Sequence, residues 1–347
     1  MCTSPLHGQK GAEISSIKKG ISFNMSKYKV VVVNLGYESY EVERKILEPV
    51  DAELILAPHD CLTENDVISV AKDADAILVR EAPISARVLD SLNRCKVIAR
   101  YGVGIDNINL EVAKQKKIYV TNTPGYGTEE VSDHAVALLL ACIRQLLIRD
   151  KTLRQGKFET DINETIYRTT GKNLGIIGYG QIGRAFHRKW KGFLPKRVLV
   201  FDPYVALELI QEDGGEKVDL DTLFAESDYI SVHTPLSPET KHIIDEAALR
   251  KMKQTAILVN TSRGEVIDED ALIKALNEGW ILAAGLDVFE KEPLSQNHPL
   301  LTMSNVVLTG HVAWYSKDSV RELQTRAAHE VLRVLSGKTP ICWVNKW

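Results

Sequence analysis

Three glycines in a tight spacing, Gly178-Tyr179-Gly180-Gln181-Ile182-Gly183, stand directly behind the apolar run Asn173-Leu174-Gly175-Ile176-Ile177. A second β-like run, Arg197-Val198-Leu199-Val200-Phe201, follows about twenty residues on and closes with Asp202. Strand, glycine turn, helix and acid-terminated strand are the parts a dinucleotide needs. The first glycine allows the tight turn, the second lets a pyrophosphate approach the backbone, and the third lets helix pack on strand. A helix beginning at Gln181 turns unpaired N–H groups and the positive end of its dipole toward the phosphates. A glycine triplet alone is also what an ordinary β–α turn contains. The strand before it, the helix after it and the acid at the right distance together predict a nicotinamide or similar dinucleotide. Asp202 can accept from both hydroxyls of the adenosine ribose, and Pro203-Tyr204-Val205 brings no arginine for a 2′-phosphate. NAD is therefore expected over NADP.

The elements that must position this motif alternate along the chain. From Tyr28 to Thr121, strand candidates (Lys29–Val33, Glu53–Ala57, Ala76–Val79, Lys96–Ala99, Ile118–Val120) are separated by helical patterns such as Thr63–Ala71, with Thr63 as N-cap. Such alternation means parallel strands joined by crossover helices. Asn122-Thr123-Pro124-Gly125 interrupts it, and one long helix is expected from Thr128 to Gln155. A second alternating series runs from Asn173 to Leu308, with further strands at Tyr229–Val232, Ala256–Val259 and Leu282–Ala284. Lys317 to Leu335 reads as a long terminal helix. Two α/β units result, with the ligand site expected in the cleft between them.

A length of 347 residues suits two domains. Charged residues make up 26% and the net charge is -3, so nothing in the balance points to nucleic acid or a membrane surface. The five cysteines (Cys2, Cys61, Cys95, Cys142, Cys342) have neither CxxC nor metal-type spacing, which fits reduced thiols in a cytoplasm. The nearest approach to an apolar span, Val131 to Ile148, is interrupted by Asp133, His134, Arg144 and Gln145. Residues 1–24 are polar and mixed, without a signal-peptide core, and are expected to be a disordered leader or to precede a natural start at Met25.

Several further motifs follow in a fixed order. They are Arg100-Tyr101-Gly102-Val103-Gly104-Ile105-Asp106-Asn107-Ile108, His233-Thr234-Pro235-Leu236-Ser237-Pro238-Glu239-Thr240 and Asn260-Thr261-Ser262-Arg263-Gly264-Glu265. Leu286-Asp287-Val288-Phe289-Glu290-Lys291-Glu292-Pro293 and His311 complete the series. With these and the glycine motif, the chain from Met25 onward resembles the D-isomer-specific 2-hydroxyacid dehydrogenases. The resemblance implies two doubly wound parallel-sheet domains of Rossmann or flavodoxin-like type. Residues 25–122 plus 312–347 would form the substrate domain, and 123–311 the NAD-binding domain, which usually makes a homodimer contact. It implies a catalytic set of Arg263, Glu292 and His311.

The chemistry accounts for each type. Arg263 offers a planar fork to a carboxylate and its neighbouring carbonyl, and its charge stabilises a developing alkoxide. His311 has an imidazole suited to delivering a proton near neutrality, and Glu292 would hold the ring and favour its protonated form. Taken singly, each could be a surface ion pair, a solvated loop acid or a satisfied buried histidine.

On the cofactor side the resemblance implies Gly178, Gly180, Gln181, Ile182, Gly183, Asp202, Thr234, Pro235, Thr240, Thr261, Ser262 and Asp287. Asp287 would hold the nicotinamide amide, with a turn-capping carboxylate as its structural alternative. The N–H groups around Val103 and Gly104 would hold the substrate carboxylate. Arg80 stands where relatives often meet phosphate-carrying or acidic substrates, and is equally well placed for a rim ion pair with Glu81. Gly310 replaces the usual proline before the histidine, loosening that loop without removing its function. His311-Val312-Ala313-Trp314-Tyr315-Ser316 is similar to the C-terminal-binding-protein branch, in which the tryptophan contacts the ligand; Trp314 could equally pack between domains.

The resemblance thus implies an NAD-dependent enzyme that moves hydride between the cofactor and C2 of a small 2-oxo or 2-hydroxy acid, with reduction expected in the cell. An NAD-sensing corepressor or scaffold of the C-terminal-binding type is the alternative of another class. No long tail is expected after the terminal helix, where such relatives often hold regulatory sequence. A short form of 3-phosphoglycerate dehydrogenase is the alternative among enzymes. The expected partner is a small 2-oxo or 2-hydroxy acid rather than nucleic acid or membrane, and the expected assembly is a cytoplasmic homodimer.

Overall fold

The computed structural model describes residues 27–158 and 166–347. The expected leader and the start at Met25 lie outside the described residues. A first sheet holds β1 (Tyr28–Val32), β2 (Ala52–Leu56), β3 (Ala76–Val79), β4 (Val97–Arg100) and β5 (Tyr119–Thr121) in the order β2-β1-β3-β4-β5. A second holds β6 (Asn173–Ile177), β7 (Arg197–Phe201), β8 (Glu216–Lys217), β9 (Tyr229–Val232), β10 (Ile257–Asn260), β11 (Ala283–Leu286) and β12 (Val306–Leu308), in the order β12-β11-β10-β9-β6-β7-β8. Every strand pair in both sheets is parallel.

Parallel sheets are covered on both faces, and this is why their strands read as continuous apolar runs. In the first sheet Val31, Ile77, Val79 and Ile98 face the helices Glu64–Ala71, Ala86–Ser91 and Leu110–Gln115. Val30, Val32, Leu78, Val97 and Ala99 alternate to the other face. There they meet Leu47 and the helix Lys317–Leu335 through Leu323, Ala327 and Val331. The chain end also locks onto this sheet: Val120 N–H donates to Asn345 Oδ1 at 2.9 Å, and Asn345 Nδ2 returns a bond to the Ile118 carbonyl.

In the second sheet Leu174, Ile176, Val200 and Val259 pack beneath the helices Thr128–Arg144 and Gln181–Trp190. The opposite face, with Ile177, Ile230 and Leu258, is covered by Leu220–Glu226, Glu246–Lys251 and Glu269–Glu278. Strand β6 lies between β7 and β9, so the winding reverses beside it. That topological switch opens a crevice at the strand ends, directly above the glycine motif.

Thr63 caps its helix as expected, in a reciprocal capping box with Asp66. The single helix expected from Thr128 to Gln155 is instead two, Thr128–Arg144 and Leu146–Arg154, bent by 61° at Gln145. Gln145 takes the left-handed conformation and its N–H closes the first helix on Ala141 and Cys142 carbonyls. The first helix follows the sheet with Leu138, Leu139, Cys142 and Ile143 buried, whereas Leu146–Arg154 buries none of its residues. Among the described residues no single helix is long and apolar enough to cross a membrane, and the bent pair passes that test only by joint length and composition. Cys61, Cys95, Cys142 and Cys342 are free thiols.

Candidate active site

The loops that leave the C-terminal ends of β4 and β10 meet. Asn260, the last residue of β10, accepts from the Ser262 N–H and hydroxyl and donates to the Arg263 carbonyl, which fixes a tight turn. Arg263 then projects onto the loop after β4: its Nε donates to Asp106 Oδ2 at 3.1 Å, and its Nη1 donates to the Ser262 carbonyl. A Cβ on Gly104 would lie 1.7 Å from Arg263 Nη2, so only glycine admits the guanidinium here. The N–H groups of Val103 and Gly104 donate to no other described residue. Gly102 has φ +146 and is tied through its own N–H and carbonyl to the Thr123 hydroxyl. Free donors of one loop and a guanidinium of the other therefore meet, as a carboxylate requires.

His311 and Glu292 join on the second unit. His311 Nδ1 and Glu292 Oε2 are 2.7 Å apart, and the other carboxylate oxygen accepts the Phe289 N–H at 3.0 Å. Burial pushes the Glu292 carboxyl up. The His311 hydrogen bond and charge, the Phe289 N–H and the Arg263 charge outweigh it and hold the group below the usual carboxylate range. Engaging Nδ1 leaves Nε2 of the imidazole as the proton-carrying edge. His311 itself has φ +55, a strained value for a residue with a side chain.

Asp287 restrains that strain. Its carbonyl accepts the His311 N–H at 2.6 Å, Oδ1 accepts from Val312 N–H and the Thr309 hydroxyl, and Oδ2 accepts from Ala313 N–H. Thr309 in turn bonds His134 Nε2 at 2.9 Å. Since the threonine proton goes to Asp287, the histidine is the donor. A carboxylate buried to 1% exposure thus clamps the loop on both sides of Gly310, which offsets the freedom that the missing proline gives. Asp287 takes the loop-capping geometry among the described residues.

The glycine motif fits a dinucleotide. Gly178 has φ +88, and a Cβ there would lie 2.7 Å from the Thr234 backbone nitrogen; at Gly183 it would lie 2.2 Å from the Gly178 carbonyl. At Gly180 a Cβ would meet nothing within 4 Å, which leaves the backbone open to an approaching ligand. Asp202 accepts Tyr179 N–H on one oxygen and Tyr204 and Val205 N–H on the other, joining the glycine turn to the end of β7. Thr261 Oγ1 is buried without a partner. Ile182 occupies the first turn of the helix that opens at Gln181, whose Oε1 faces Thr128 across the crevice. The Thr240 hydroxyl donates to the Pro235 carbonyl and accepts the Ser237 N–H, so it shapes the loop after β9 from within.

Arg80 lies against Gly36 and pairs with Glu81 at 3.3 Å, the rim pairing anticipated for it. Trp314 donates Nε1 to the His311 carbonyl and packs on Gly127 and the Tyr126 ring, so its contacts are those of packing between the units. Asp106, Thr309 and His134 carry site contacts that motif reading passed over. Asp106 lies inside the Arg100–Ile108 motif, so its acid type beside a glycine loop was an available signal.

A family model for the NAD binding domain of D-isomer specific 2-hydroxyacid dehydrogenases matches residues 136–313. A glyoxylate reductase from Korarchaeum cryptofilum is 43% identical over 81% of this chain and 85% of its own length. The apo-structure of D-lactate dehydrogenase from Escherichia coli superposes with a TM-score of 0.79 at 33% identity, covering 91% of this chain and 99% of that one. An acyclic imino acid reductase solved with NADPH and D-Arg gives 0.81 at 30% identity, with 91% and 99% covered. The chain belongs to the D-isomer-specific 2-hydroxyacid dehydrogenase family and is an NAD-dependent oxidoreductase of that class.

Proposed function

We propose that the cleft reduces a small 2-oxo acid of the glyoxylate type, with Arg263, His311 and Glu292 as the working side chains. The observation that carries this is the convergence of a guanidinium, free loop N–H groups and an imidazole–carboxylate pair on one cleft. Bound cofactor supplies the hydride at C2. Val103 and Gly104 N–H and the Arg263 fork hold the C1 carboxylate, which sets the face of the carbonyl presented to that hydride. Arg263 also draws charge onto the carbonyl oxygen as it becomes an alkoxide. His311 Nε2 delivers the proton to that oxygen, and Glu292 orients the ring and stabilises its cationic form.

In this reading the unit around β1–β5, closed by the terminal helix, is the substrate domain, and the unit around β6–β12 carries the cofactor. Asp202 selects NAD over NADP, and Thr234, Pro235, Thr261 and Ser262 line the cofactor's path. The half-exposed Leu146, Leu147 and Leu153 on Leu146–Arg154, beside an apolar groove lined by Cys142, Tyr229, Ile257 and Val306, support a homodimer contact there. Reduced thiols support a cytoplasmic setting.

Steady-state NADH oxidation with glyoxylate, hydroxypyruvate and pyruvate tests the reading, with NADPH compared in parallel. His311→Ala should lower kcat by about 10²–10⁴-fold with little change in KM. Arg263→Lys should recover little, because a lysine keeps the charge and loses the fork. A lysine variant as active as the parent refutes the substrate geometry.

A further inference from the structure

The helix Glu41–Leu47 buries a carboxylate that the hydride and proton steps do not use. Glu43 is fully enclosed at 0% exposure, and no cationic side chain stands within ion-pair distance of it among the described residues. The adjacent Arg44 turns instead to Glu41 and to the Leu54 carbonyl. The partners of Glu43 are neutral. The Tyr101 hydroxyl donates to Oε1 at 2.7 Å, and Gln324 Nε2 lies 2.9 Å from Oε1 and 3.1 Å from Oε2. Burial pushes the Glu43 carboxyl up, against the pull of these hydrogen bonds. An anion held in a core by neutral donors alone adds little stability, and an apolar set of similar size is often at least as stable. What a fully bonded buried group does provide is one fixed arrangement of the elements it joins.

Three parts of the first unit meet on this carboxylate. Tyr101 leaves β4 and opens the loop on which the Val103 and Gly104 N–H groups stand free. Its own N–H donates to the Val79 carbonyl at 2.7 Å, and its ring meets the Tyr37 ring edge-on at 5.3 Å between centroids. Leu323 and Ala327 of the terminal helix Lys317–Leu335 share its apolar layer. Gln324 stands on the same helix and also donates to the Ser39 carbonyl at 2.8 Å, just before the helix that carries Glu43. A shift of the tyrosine therefore passes directly along the chain, through Gly102, to the free N–H groups.

We propose that Glu43 is a positioning residue for the substrate: through Tyr101 it fixes the loop of Val103 and Gly104, and through Gln324 it makes that fixing depend on the terminal helix. This rests on the reading that those N–H groups hold the C1 carboxylate. A loop whose donors meet the substrate before hydride moves affects binding more than turnover. Loss of one hydrogen bond to a charged group corresponds to about tenfold or more in affinity when the loop's place depends on it.

A pair of variants separates position from stability. Tyr101→Phe leaves a buried anion short of a donor, whereas Glu43→Leu combined with Tyr101→Phe removes the anion as well. The double variant should therefore unfold at a higher temperature than Tyr101→Phe alone. Substrate affinity should not return with it. In both variants the KM for glyoxylate should rise about tenfold or more, with kcat and NADH affinity within about threefold of the parent. Amide hydrogen exchange should quicken over residues 101–108 in both. Glu43→Gln still offers Tyr101 an oxygen and should keep KM within about threefold. An unchanged KM, a KM that recovers with stability in the double variant, or a loss shared equally by KM, kcat and NADH affinity overturns the proposal. If the parent reduces no 2-oxo acid, the functional reading fails instead. Hydrogen exchange then decides the positioning alone: quickening confined to residues 101–108 in both variants supports it, and unchanged or general exchange refutes it.

Discussion

Replacing Gly104 with alanine tests whether Arg263 works from the position it occupies. The new Cβ would stand 1.7 Å from Arg263 Nη2 and 2.9 Å from Cζ, where ordinary contact needs about 3.5 Å. The guanidinium must therefore retreat by about 2 Å. Gly104 is not in the left-handed region, so alanine adds no backbone strain, and the obstructed group is the free end of a long side chain. Stability should change little. Catalysis should not be spared, because a misplacement of about 1 Å can cost about 10²-fold where two groups must hold one substrate. Expected values are a fall of about 10²-fold or more in kcat/KM for glyoxylate, NADH affinity within threefold of the parent and an unchanged melting temperature. The assay is initial-rate NADH oxidation, with NADH fluorescence titration and thermal unfolding as controls. Activity within threefold of the parent would refute the use of Arg263 at this place.

Gly180→Ala is the complement: its Cβ meets no protein atom, so the fold should hold while NADH binding weakens about tenfold or more by titration. Glu292→Gln should lower kcat about tenfold or more in initial-rate assays, because a neutral amide replaces the charged partner that holds His311 Nδ1. The Glu292 carboxyl is held below its ordinary value. Its contribution to stability is therefore present above about pH 4.3 and fades as pH falls through the lowered pKa, a slope that acid denaturation of the variant should lack. Thr309→Val strips Asp287 of one donor and His134 of its acceptor, so kcat should fall about tenfold with NADH affinity within threefold. A kcat equal to the parent's would show that the His311 loop needs no clamp from that side.

Local signals placed ten of the twelve described strands to within a residue or two. Ala76–Val79 has apolar residues throughout, and Lys317–Leu335 is bracketed by the Ser316 cap and Gly337, so both bounds were readable. The break at Gln145 was not, because one left-handed residue leaves the apolar period around it almost unaltered. In the site, Arg263, Glu292 and His311 stood out by type and motif. Their supports did not: Asp106 is 157 positions from Arg263, and His134 is 175 from Thr309. Contacts at that separation are products of sheet order and helix packing, and no local pattern encodes them. Asp287 shows the same limit, since its carboxylate role depends on which loop folds over it.

The closure of the first sheet by the end of the chain has a consequence for how the protein is born. Val30, Val32, Leu78, Val97 and Ala99 are synthesised more than 200 residues before the helix that covers them, and the Val120–Asn345 bond spans 225 residues. The nascent first unit therefore carries an apolar face that only the helix Glu41–Leu47 partly covers through most of translation, while β6–β12 and their helices can complete both of their layers on emergence. The unit made first finishes second. A permuted chain that starts near Gly125 and joins the old ends through a short linker would bring the helix next to its sheet in order of synthesis. It should reach the native state with less aggregation during expression than the natural order does.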